Sequence, residues 1–196
     1  MKKFFVICVF LVGCGSSKYS NEIKQLDSLK NETKKMQNIF MSIDTVKMNS
    51  ISKSVAENLK SISDYYNPDS IDLRIIGTIN YYKSFKKTGA KFNLQRMRVK
   101  SEIPYSINQL EALLTDLKNN SLKDEDAQKY ISTERQATMK LIETIRFMKT
   151  EVDKTIHNYD SISVCFNGLL DSLKSDSLNM QSIRLKKLKN TTKKTK

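Results

Sequence analysis

The chain has 196 residues, with 34 Lys and Arg against 21 Asp and Glu, for a formal net charge of +13. Five Gly, two Pro and no Trp argue against a loop-rich β protein. Abundant Leu, Ile, Lys, Ser, Asn and Gln suit long helices with polar outer faces. His157 is the only histidine, which excludes a Cys/His metal set, and local spacing suggests no Ser/His/Asp or Cys/His partner for it.

The N-terminus opens with Lys2-Lys3, followed by an apolar run from Phe4 to Val12. A spanning helix needs about 20 apolar residues; this run is stopped by Ser16-Ser17-Lys18 and has the length of a signal-peptide core. Leu11-Val12-Gly13-Cys14 places Leu at −3, a small residue at −1 and Cys at +1. It resembles the lipobox of bacterial lipoproteins. That resemblance implies cleavage between Gly13 and Cys14, a diacylglycerol on the Cys14 sulfur, and acylation of the new amine. The membrane is then a partner through the N-terminal lipid. Gly15 departs from the Asp that retains enterobacterial lipoproteins in the inner membrane, which by analogy implies the outer membrane. The absence of an acidic run after Cys14 favours the periplasm-facing side. Of the three cysteines, Cys8 leaves with the signal and Cys14 carries lipid. Cys165 remains as a lone thiol, expected to be half-buried beside Phe166, with an intermolecular disulfide as the alternative.

Residues 14–20 read as a tether and 21–178 as a helical bundle domain. Helix A is expected from about Asn21 to Tyr65. Its first half carries Leu26, Leu29, Thr33, Met36, Phe40 and Ile43; its second carries Ile51, Val55, Leu59, Ile62 and Tyr66. The two halves differ in phase, which predicts a stutter near Val46 to Ser50. Asn67-Pro68-Asp69-Ser70 reads as a turn. Helix B carries Ile71, Ile75, Ile79, Tyr82 and Phe85. A break is expected at Thr88-Gly89-Ala90, with Gly89 as a cap. The stripe resumes at Phe92, Val99, Ile103, Ile107, Leu110, Leu114 and Leu117, with a kink or fresh start at Pro104. Asn119-Asn120-Ser121 ends it.

Helix C begins in the acidic stretch Asp124-Glu125-Asp126, which suits the positive end of a helix dipole. Leu141, Ile145, Met148, Val152, Thr155, Tyr159, Ile162, Phe166, Leu169 and Leu173 alternate spacings of four and three, a heptad seam. The fold class read here is all-α: an elongated antiparallel, coiled-coil-like bundle of about three long helices, the middle one broken. The string Leu-Asp-Ser-Leu-Lys recurs at 26–30 and 170–174 as coiled-coil grammar. Residues 179–196 read as a basic, disordered tail.

The positive charge is concentrated in two places. Lys83, Lys86, Lys87, Lys91, Arg96, Arg98 and Lys100 lie in a stretch without acids, and a second such stretch runs from Arg184 to Lys196. Together they exceed the net charge, so the rest of the chain is mildly acidic. The 83–100 segment is interleaved with Tyr81, Tyr82, Phe85 and Phe92. In a cytosolic protein this would point to nucleic acid. Behind a lipobox no nucleic-acid partner is expected, and the segment is a candidate patch for an anionic ligand of the envelope. The competing reading gives the aromatics to the core and the cations to solvent.

Without a nucleophile, base or metal set, the chain reads as no enzyme and as needing no cofactor. The expected role is a lipid-anchored structural or interaction module that meets an anionic envelope polymer or a helical protein partner, with homo-oligomers through the heptad seam as a further option. Two alternatives stand. One is a surface-exposed adhesin or host-factor binder, as among spirochaetal helical lipoproteins. The other is a covalent tether: the chain ends in Lys196, and so resembles the enterobacterial heptad-helix lipoprotein joined to peptidoglycan through a C-terminal Lys. That family's small size and penultimate Arg are not matched. The stretch Ser101-Glu102-Ile103-Pro104-Tyr105-Ser106-Ile107-Asn108-Gln109-Leu110 and the later Tyr130 and Glu134 also resemble helical lipoproteins of Bacteroidota, which imply no particular activity.

Overall fold

The computed structural model describes residues 18–65 and 73–194. These form four helices: α1 (Ser20–Met41), α2 (Thr45–Tyr65), α3 (Leu73–Lys118) and α4 (Asp124–Lys194). No strand occurs among the described residues, so the all-α class holds. The lipobox with Gly13 and Cys14, the 67–70 turn, Ile71 and Lys196 lie outside the described residues.

The helices pack as three legs. α1 and α2 follow one another in a single leg, and both pack on α3 and α4. Cross-links fix the direction. Arg146 donates to Glu32 Oε1 at 2.5 Å and Lys47 pairs with Asp160 at 3.0 Å, so the first leg runs parallel to α4. Lys34 meets Glu111 at 3.2 Å and Asn58 meets Tyr82 at 2.9 Å, so it runs antiparallel to α3.

The interruption lies in the first leg, not the middle helix. α1 stops at Met41, and Ser42 N–H turns back to the Asn38 and Ile39 carbonyls. Asp44 Oδ1 then accepts the Lys47 N–H at 2.8 Å, capping α2. This break at 42–44 resolves the phase mismatch a few residues before the expected stutter. α3, by contrast, runs unbroken through both expected interruptions. Gly89 is not a cap: it is buried against α2, and a β-carbon there would overlap the Ser52 hydroxyl and come within 3.3 Å of Ser52 Cβ. Glycine here permits close approach of two helices. Pro104 sits within the helix and removes the N–H that would otherwise bond the Lys100 carbonyl. α3 ends where Asn120 takes φ 51° and Ser121 N–H reaches the Asp116 carbonyl at 3.0 Å, a left-handed cap of the Schellman type.

The core forms three successive blocks. At the α3–α4 turn, Tyr19 and Leu26 pack with Leu110, Leu113, Leu114, Leu117, Ala127 and Ile131. In the middle, Met36, Phe40, Ile43 and Met48 meet Phe92, Val99, Ile103 and the α4 stripe from Leu141 to Val152. At the far end, Ile51, Val55 and Ile62 surround Tyr82, Phe85, Phe166 and Leu170. Tyr82 and Phe166 are fully buried and stack with centroids 3.6 Å apart and planes 8° from parallel. Buried polar groups are satisfied, as burial demands. Ser106 and Thr138 share a hydrogen bond of 2.8 Å, and Thr33 donates to the Leu29 carbonyl at 2.8 Å.

α4 continues to Lys194 as helix, where the sequence reading places a disordered tail from 179. Beyond Lys174 none of its described side chains is buried. The segment is an extension of the rod without a packing partner among the described residues.

Candidate anion-binding faces

α3 carries the seven cations of the 83–100 segment. Tyr82, Phe85 and Phe92 between them are core residues, because the 3.6-residue repeat turns them onto the inner side. Of the interleaved aromatics, Tyr81 alone is exposed, lying edge-on to Phe85 at 5.4 Å. Lys83, Lys86, Lys87, Lys91, Arg98 and Lys100 are exposed and Arg96 is half-buried. Among the described residues none of the seven forms an ion pair.

They do not make a single face. Arg96 and Lys100 border a groove of about 370 Å³ toward the α1–α2 break, floored by Phe40, Ile43 and Ile103, with no acid in its lining. Arg98 lies across α3 on the α4 side, in a groove of about 540 Å³ shared with Glu102, Glu134 and Lys140. Lys91 lines a smaller cavity of about 120 Å³ with Glu151 and Phe147. The α4 side thus supplies carboxylates that compete with any incoming anion; the α1 side supplies none. Burial against this seam raises the Glu134 carboxyl above its ordinary range. Glu134 and Arg135, expected as solvated positions, are half-buried, and Arg135 donates to Gln25 Oε1 at 2.5 Å.

Two other sequence candidates fall on the surface. Cys165 is exposed, not half-buried beside Phe166: the stripe turns Phe166 inward and its neighbour outward. His157 is exposed as well. Among the described residues no group of three or more His, Cys, Asp or Glu could hold a metal ion. Nor is any described helix long and apolar enough to cross a membrane.

The N-terminal end of the described chain is docked. Lys18 pairs with Asp124, and the Tyr19 hydroxyl donates to the same carboxylate at 3.0 Å. The hydrogen bond from Lys18, helped by that from Tyr19, holds the Asp124 carboxyl below its usual range; in return Asp124 raises the Lys18 ammonium. Sequence reading assigned Asp124 only to the helix dipole, because a partner 106 positions away leaves no local signal.

The chain matches no protein-family model, no curated protein and no solved structure.

Proposed function

We propose that this chain is a lipid-anchored, nonenzymatic protein of the bacterial cell envelope, acting as a structural or interaction module toward an anionic envelope component. Its lipid is on Cys14, in the outer membrane facing the periplasm, and its α4 seam packs in coiled-coil fashion.

The observation that carries the reading is where the chain enters the bundle. Lys18 and Tyr19 are fixed on Asp124, beside the α3–α4 turn. Only Gly15, Ser16 and Ser17 separate Cys14 from Lys18. A fully extended chain covers about 3.5 Å per residue, so the lipid lies within about 15 Å of that end. A rod standing on this end holds its basic segments away from its own bilayer. At 1.5 Å rise per residue, Lys100 is about 27 Å and Lys83 about 52 Å along α3 from Lys118. The partner is then a component of the space beyond the membrane.

Fractionation of cells making the Cys14→Ala protein tests the anchor. The variant is expected in the soluble fraction after a salt wash, with the wild type in membranes. A variant that stays in washed membranes overturns the proposal.

A further inference from the structure

We infer that the extension of α4 beyond the bundle is the arm that engages the anionic partner, and that this partner is a linear polyanion, a polymer bearing phosphate or carboxylate groups. Its position relative to the membrane rests on the anchor proposed above; its chemistry does not.

The extension begins where the core ends. Leu170 is the last buried side chain among the described residues of α4, and Leu173 is half-buried. From there to Lys194 the helix advances about 30 Å farther. It leaves the bundle at the end opposite Tyr19 and Asp124. With α4 measuring about 105 Å over its 71 residues, its tip lies about 100 Å from the docked N-terminus.

From Arg184 to Lys196 there are seven basic residues, and no acid follows Asp176. On α3, Arg98 shares its groove with Glu102 and Glu134, and Lys91 shares its cavity with Glu151. Beyond Asp176 the extension carries no acid of its own, and none of its described side chains is buried against another helix. A run of one sign in sequence attracts anions over about a Debye length.

The distribution of residues around the helix decides between a planar and a chain-like partner. A helix lying on a bilayer needs one apolar face opposite one polar face. Here Leu178, Met180, Ile183 and Leu185 are all exposed. At 3.6 residues per turn, positions 178 and 185 fall on one side and 180 and 183 on the other. Basic positions 184, 186, 187 and 189 are likewise spread around the axis. A flat lipid surface meets only one side of such a helix, whereas a flexible polyanion can follow the charge around it. The exposed apolar side chains then lie against the polymer backbone.

The test uses the intact lipidated protein in nanodiscs of neutral phosphatidylcholine, titrated with long-chain inorganic polyphosphate and, separately, with poly-L-glutamate. The tighter of the two identifies the charged group. Replacing Arg184, Lys186, Lys187 and Lys189 together by Gln is expected to weaken binding by at least about tenfold and to flatten its salt dependence. Replacing Lys83, Lys86, Lys87 and Lys91 by Gln is expected to weaken it by less than about threefold. The tail variant is expected to keep the melting curve of the wild type, which shows that it folds. Equal losses in both variants, or no loss in the tail variant, overturn the inference. So does capture of anionic phosphatidylglycerol vesicles without binding of either polymer, which assigns the extension to a lipid surface. Failure of the chain to enter nanodiscs instead counts against the anchor; the same titrations in buffer then still judge the arm.

Discussion

Gly89 and Gly77 lie on the same helix and respond oppositely to one added methyl group. In a helix interior, Ala is favoured over Gly by about 1 kcal/mol. A β-carbon at Gly77 meets nothing within 4 Å, so Gly77→Ala should realise that gain, a rise in Tm of about 2–4 °C for a domain of this size. At Gly89 the new carbon overlaps the Ser52 hydroxyl, which donates to the Met48 carbonyl at 3.1 Å. Moving that hydroxyl forfeits about 1 kcal/mol, and the 3.3 Å approach to Ser52 Cβ adds overpacking of about 1 kcal/mol or more. Gly89→Ala is therefore expected to destabilise by about 1 kcal/mol despite its helix propensity. Ser52→Ala removes the hydroxyl, so the double variant should recover about 1 kcal/mol relative to additivity. Thermal melts of the four proteins, followed by far-UV circular dichroism, supply both numbers. If Gly89→Ala raises Tm as much as Gly77→Ala, α2 and α3 do not approach as described.

Tyr82→Phe keeps the ring on Phe166 but removes the hydroxyl that accepts from the Asn58 amide at 2.9 Å, leaving that half-buried amide with Asn167 at 3.4 Å, costing about 1 kcal/mol by denaturant titration. Phe166→Ala empties the same site and should cost about 3–5 kcal/mol. Asn120→Gly relieves the left-handed backbone at φ 51° and should stabilise by up to about 1 kcal/mol in the same assay. The Glu134 carboxyl is raised by burial, so its protonated form is the one the fold favours, and stability gains as pH falls through the raised value. Glu134→Gln should therefore raise Tm at neutral pH and remove that pH dependence. The Asp124 carboxyl is lowered and the Lys18 ammonium raised. Docking of the N-terminus is thus lost as pH falls below 3.8 through the depressed folded value of Asp124. It is also lost as pH rises above 10.5 through the raised value of Lys18. The protection of the Ile23 amide, which bonds the Tyr19 carbonyl at 2.8 Å, should fall in both directions when exchange is measured relative to the intrinsic rate at each pH.

Helical periodicity made the core legible. The α4 stripe from Leu141 to Phe166 faces inward as spaced, and Thr33 and Thr155 take buried stripe positions because each hydroxyl bonds a carbonyl one turn back. The stripe missed Ala127, Ile131 and Thr138, all buried, because two of the three are small or polar and carry little apolar signal. Gly89 is no cap and Pro104 no fresh helix start, although local propensity alone treats both residues as breakers. Packing against Ser52 gives the glycine a reason to stay in the helix, and a 46-residue helix absorbs one missing N–H. Leu169 was assigned to the seam, yet Leu170 is the more buried; near the bundle's end the 3.6-residue helix has drifted from the seven-residue repeat. The basic segments were visible as composition. Their division between the two seams of α3, and the emergence of the second beyond the core, depend on how the legs are staggered, which no local pattern encodes.

The anchor on Cys14 underlies the proposed orientation, and the intact mass of the native protein tests it most directly. The protein would be extracted in detergent from membranes treated with lysozyme. The account predicts a mass of residues 14–196 plus a diacylglyceryl group, with or without an N-acyl chain. A mass without lipid, or a chain beginning at any residue other than Cys14, would contradict it.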